Sequence, residues 1–96
     1  MKRENLITLC AKVANEVEKV VNSYNGKYSL FCYYSINDLD SFMVLVQDVR
    51  KEEDNVVYNK TLYSPWEWEM NRLTPKNLRL MKEQAIKTVK EYDSKE

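Results

Sequence analysis

The sequence predicts an α+β domain in the order α-β-β-β-α-α: a three-stranded antiparallel sheet with helices packed mainly on one face. Three observations carry that expectation. A broad apolar arc with a period of roughly 100° per residue runs from Leu6 to Tyr24. Three apolar and aromatic runs follow, divided by short polar stretches. Two cap-then-proline signals, Ser64-Pro65 and Thr74-Pro75, then mark helix starts. Residues 1–96 read as a single compact unit without internal repeat or linker.

In the first helix Leu6, Leu9, Cys10, Val13, Val17, Val20, Val21 and Tyr24 share one side, with Ile7 and Ala14 at its margin. Thr8, Lys12, Asn15, Lys19 and Asn22 fall opposite. Valine is a mediocre helix former, so packing against a sheet has to supply what propensity does not. The helix is expected to end near Ser23, because Asn25-Gly26 can take positive φ just beyond it.

Lys27 to Ser35 reads as the first strand, with Tyr28, Leu30, Cys32 and Tyr34 on one face and Phe31 and Tyr33 on the other. Neither face is clearly polar. Ile36 to Asp40 is a turn favoured by Asn and Asp side chains. Phe42 to Arg50 is the second and most apolar strand, hence the central one, and Lys51 to Asn55 is a charged hairpin loop. Val56 to Tyr63 is the third strand, with Lys60 and Thr61 suited to an edge. Short connections imply an antiparallel meander.

Ser64-Pro65-Trp66-Glu67 combines a cap, an early proline and a capping-box glutamate, which predicts a short helix. It would set Trp66, Met70 and Leu73 on one face and Trp68 on another. Thr74-Pro75 starts the last helix, lined by Leu78, Met81, Ala85, Val89 and Tyr92. Asp93 to Glu96 reads as a frayed tail.

Composition excludes more than it proposes. The chain is 44% hydrophobic and 31% charged, with a formal net charge of zero. That is the make-up of an ordinary soluble domain rather than of a uniformly basic nucleic-acid binder. No apolar run is long enough to cross a membrane, and the amphipathic first helix does not resemble a secretory leader, so a cytoplasmic protein is expected. Histidine is absent and glycine occurs once, which removes histidine-based catalysis, phosphate loops and dinucleotide fingerprints. No enzyme activity, cofactor or metal is expected. The carboxylates Asp38 with Asp40, Glu52 to Asp54, and Glu67 with Glu69 lack the ligand spacing of a calcium loop. Cys10 and Cys32 suit a reduced core; a disulfide joining the first helix to the first strand is the alternative.

Two surfaces could carry function. Lys76, Arg79, Lys87 and Lys90 gather opposite the apolar stripe of the last helix and could track phosphates, although Glu83 lies among them. The order helix, three strands, helix resembles that of double-stranded-RNA-binding domains, which use a lysine-rich start of the last helix. This chain departs from them in its acidic Lys51-Glu52-Glu53-Asp54 loop and its additional helix. The second surface is aromatic. A sheet covered on one face leaves the other wet, and Phe31, Tyr33, Tyr63 and Trp68 are candidate protein-interface anchors. The leading expectation is a small non-catalytic protein-binding module, its partner another protein or a second copy of itself. The element order also resembles some small anti-CRISPR proteins, and that resemblance implies a phage or mobile-element inhibitor of a host or defence protein. Nucleic-acid binding through the basic face of the C-terminal helix is the alternative.

Overall fold

Val17, Val21, Val44, Val46, Leu62, Leu78, Met81, Ala85 and Val89 have almost no exposed surface, and they come from both long helices and two strands. These residues meet because the helical and strand periods of the sequence converge on one layer. The structure, a computed structural model, describes residues 3–36, 40–64 and 69–95. Its elements are α1 (Arg3–Asn22), β1 (Tyr28–Ile36), β2 (Asp40–Asp48), β3 (Val56–Ser64) and α2 (Pro75–Ser94), with a single 3-10 turn at Glu69–Asn71 before α2. The sheet order is β1-β2-β3 and both pairings are antiparallel. The apolar second strand is central, as its sequence predicts.

α1 buries Leu6, Cys10, Val13, Val17 and Val21, with Leu9, Val20 and Tyr24 half-buried around them. At its end Ser23 Oγ donates to Val20 O at 2.6 Å. Asn25 and Gly26 then take φ of 56° and 78°. No helix continues through such a left-handed pair. α2 starts where Thr74 Oγ1 accepts from Asn77 N at 3.1 Å and Pro75 occupies the first turn, a cap and a proline each placed where the first-turn N–H groups lack helical partners. It buries Leu78, Met81, Ala85 and Val89. α1 lies over the β1 side of the sheet, α2 over the β3 side, and the helices pack on each other. Burying a side chain such as Leu62 contributes roughly 1.5–3 kcal/mol.

Besides the turn expected at Ile36 to Asp40, whose two end residues pair and belong to β1 and β2, three local expectations change. β2 ends at Asp48 rather than Arg50, because the Asp48 carboxylate accepts from the Arg50 backbone N at 3.1 Å and turns the chain out of the sheet, as aspartates do in turns. The short helix expected from Ser64 does not start there, since Ser64 closes β3, and the remainder of its start lies outside the described residues. The sequence pattern sets Met70 beside Leu73 on one apolar face, yet Met70 is 72% exposed while Leu73 is buried. Leu73 N donates to Tyr63 O at 2.6 Å, so this segment follows the end of β3 instead of completing a helical turn. The third change is at the C-terminus. Asp93 is not frayed: α2 runs to Ser94, and the Asp93 carboxylate accepts from Tyr28 Oη at 2.7 Å and Lys27 Nζ at 3.3 Å.

Candidate functional site on the open sheet face

The strand registers sort every sheet residue onto one of two faces. Tyr28, Leu30, Cys32 and Tyr34 of β1 stand beside Asp48, Val46, Val44 and Phe42 of β2, and these point toward the helices. Tyr58, Lys60 and Leu62 continue that face on β3. A bulge at Val57 restores the alternation after Val56, which pairs with Gln47; the extra residue is what lets the faces stay in phase. The opposite face has no element over it among the described residues.

At its centre Phe31 pairs with Leu45 and Tyr33 with Met43. Phe31 and Tyr33 are 52% and 54% exposed, and their rings stack at 6.2 Å between centroids and 12° between planes. Leu45 and Met43 stand beside them on β2, half-buried, and Tyr63 and Val56 are exposed on β3. Around this centre the side chains are Ser29, Ser35, Ser41, Gln47, Asn59 and Thr61. None of the strand residues on this face is charged, in a chain that is 31% charged.

The charged residues of the strands all lie at helix-side positions instead, each at the margin of the core with a partner. Asp40 accepts from Arg3 Nε at 2.8 Å and from Tyr34 Oη at 3.1 Å. Lys60 Nζ donates to Asn71 Oδ1 at 2.6 Å. Asp48, fully buried, accepts from Arg50 Nε and Nη2, each at 2.9 Å, and from Tyr92 Oη at 2.8 Å. The Arg50 hydrogen bonds hold the Asp48 carboxyl well below the usual carboxylate range, against the opposing effect of burial. Arg50 also lies over the Tyr28 ring and Lys51 over the Tyr92 ring, each a cation on a π face. Tyr28 meets Tyr24 and Tyr92 edge-on, the arrangement that ring quadrupoles favour. This cluster fastens the end of β2 to the last turns of α2.

Of the sequence-predicted interface residues, the structure brings Phe31 and Tyr33 together and sets Tyr63 on the same face at the far strand; Trp68 lies outside the described residues. Met43 and Leu45 belong to this surface without standing out in the sequence, although their odd-numbered register with Phe31 and Tyr33 follows once the strands are paired. The Asp48 cluster is equally hard to see; its trace is an aspartate continuing the run Phe42, Val44, Val46 at the strand period of two.

Lys76, Arg79, Lys87 and Lys90 are exposed on α2, on the helix side of the molecule and away from the open face. Lys87 Nζ is 3.9 Å from Glu91, and Arg79 borders a shallow groove between the helices beside Lys12, Glu16 and Lys82. Acids thus interrupt the basic stripe. Among the described residues no group of three or more Cys, Asp or Glu stands where it could hold a metal ion. Asp38 and Glu67 lie outside the described residues, and Asp40 is engaged by Arg3 and Tyr34. Cys10 and Cys32 are free thiols. Burial, with the neighbouring Cys32 adding to it, pushes Cys10 up to about 12, and burial pushes Cys32 up to about 11. Both are therefore poor nucleophiles near neutral pH. No helix is long and apolar enough to cross a membrane among the described residues.

Comparison with protein-family models, curated proteins and solved structures gives no match. The face itself therefore has to carry the functional reading.

Proposed function

We propose that this protein is a non-catalytic binding module that docks the open face of its sheet onto another protein. The observation that carries the reading is the composition of that face: stacked Phe31 and Tyr33 beside Leu45 and Met43, a neutral polar rim, and no charge. Such a surface matches a partner patch with an apolar centre and an uncharged polar border, since aromatic anchors gain most where charge is excluded around them. It offers nothing to a phosphate backbone, whose binding depends on cations. An inhibitory role, of the kind carried out by the small phage-encoded proteins whose element order this chain resembles, is the form of docking we propose to test: the flat face would cover a working surface of a host or defence protein.

The test is affinity capture with the full chain from its source cells, in nuclease-treated and untreated halves, alongside two variants. One is Phe31→Ser/Tyr33→Ser; the other reverses charge at Lys76, Arg79, Lys87 and Lys90. The reading predicts an identified protein retained after nuclease, lost with the first variant and kept with the second, and a purified complex of the two reproducing that pattern. Nucleic acid retained by the wild type and lost with the charge-reversed variant would overturn it and place function on α2.

A further inference from the structure

The sheet has two edges, and they are built differently. β3 is guarded: it carries the bulge at Val57, the inward Lys60, and a bridge from Tyr63 to Arg72 that covers its last residues. Bulges, inward charges and covering segments are the usual protections of a strand edge. Among the described residues β1 has none of these. Its nine residues, YSLFCYYSI, contain no charge, proline, glycine or bulge. An edge of that kind is a template for another strand.

The hydrogen-bond phase shows which groups it offers. Val49 N donates to Lys27 O at 3.0 Å, so the odd-numbered residues of β1 bond to β2. The even-numbered residues Tyr28, Leu30, Cys32, Tyr34 and Ile36 turn their N–H and C=O groups to the free side, where no other described backbone or side chain bonds them. We propose that a second copy of this chain occupies that edge, β1 pairing antiparallel with β1 about a two-fold axis at Cys32 to make one six-stranded sheet.

The strand is suited to its own image. Cys32 is the midpoint of Tyr28–Ile36, so pairing about it overlaps the strand along its whole length. Leu30 then faces Tyr34 of the second copy, and Tyr28 faces Ile36. On the open face Phe31 falls opposite Tyr33, and Tyr33 opposite Phe31, in the closely spaced non-hydrogen-bonded positions where aromatic pairs contribute most. No like charges meet between the two paired strands, because β1 has none; Glu18 of α1, near Cys32, is the charge that approaches its own image at the axis. Leu9, Lys12 and Glu16 of α1 border the groove toward α2, so Ile7, Ala11, Ala14 and Glu18 form its other flank, toward the β1 edge. Glu18 is near enough to Cys32 for its charge to add to the rise of that thiol. Ala11 and Ala14 are small where two α1 helices pass, and small residues at a crossing let helix axes approach closely. Pairing places four exposed rings side by side at the centre of the open face. It uses the strand edge and does not depend on what that face binds.

Sedimentation equilibrium of the full chain tests the proposal, with folding of each variant checked by circular dichroism. The mass is expected to rise from one chain to two as concentration increases. Phe31→Lys/Tyr33→Lys sets lysine against lysine at both crossings and is expected to weaken association by about tenfold or more. Phe31→Lys/Tyr33→Glu sets lysine against glutamate at both crossings and restores it. A single-chain mass up to millimolar concentration overturns the proposal. So does equal loss in both variants, which would mean the rings stick face to face rather than across a strand seam. Neither outcome touches the capture experiment, whose readout is a different protein.

Discussion

The two faces of this sheet each carry an apolar centre and are opposite in use. Toward the helices stand Phe42, Val44, Val46 and Leu62, all buried; toward the open side stand Phe31, Tyr33, Met43 and Leu45, exposed or half-buried. In most half-covered antiparallel sheets the wet face carries the charge. Here Asp40, Asp48 and Lys60 are on the covered face, each at its margin and each with a hydrogen-bond partner, while the open face is neutral. The difference teaches that charge in these strands does not serve solubility. The charges tie the corners of the core, and the face left to solvent is uncharged.

Removing the same side-chain type from each face gives the largest contrast. Leu62→Ala, inside, is expected to cost about 3 kcal/mol and lower Tm by roughly 15 °C. Leu45→Ala, on the open face, is expected to cost about 1 kcal/mol, because its side chain is only half-buried and leaves no closed cavity. Thermal denaturation of both variants measures the difference, and equal losses would mean that the open face is covered in solution.

A smaller effect belongs to the inward charge at the end of β2. Asp48 and Asp93 both titrate below their ordinary range, Asp48 through Arg50 and Asp93 through the Tyr28 hydroxyl. A carboxyl depressed in the folded state stabilises above its unfolded pKa, about 4, and that stabilisation is lost as pH falls through the folded value. Tm should therefore be level near neutral pH and decline progressively below about pH 4. Asp48→Asn should lower Tm at neutral pH and flatten the acid decline, leaving the part that Asp93 supplies. An acid limb as steep as that of the wild type would count against Asp48 as its source.

The smallest expected effect sharpens the rule that polar groups on the covered face are partnered. The Tyr58 hydroxyl is buried with no hydrogen-bond partner among the described residues, and burial pushes it up to about 12. Removing an unpartnered buried hydroxyl releases a desolvation cost, so Tyr58→Phe is expected to be neutral or stabilising by up to about 1 kcal/mol. A clear loss of stability would show that the hydroxyl is satisfied after all.

Both long helices and the three strands were legible in the sequence, though the short helix expected from Ser64 was not borne out at its start, where Ser64 closes β3. The helical period located α1 and α2, and the strand period with turn residues located the strands. Thr74-Pro75 and Asn25-Gly26 marked ends that the structure closes with a side-chain cap and two left-handed residues. Those signals are local: each depends on neighbours within a turn or a pleat. The sequence could not determine which sheet face the helices cover, because β1 and β2 are apolar on both sides and a one-position change of facing exchanges the whole set. The usual tie-breaker, charge outward, pointed the wrong way. Only the tertiary structure decided, since a buried charge is tolerated solely where partners meet it. Arg50 and Tyr92 reach Asp48, and Arg3, Tyr34 and Asn71 wait across the fold for Asp40 and Lys60. Two of these partners, Arg3 and Tyr92, come from elements far away in sequence, and only the folded arrangement brings them to the strands and leaves Phe31 and Tyr33 in the open.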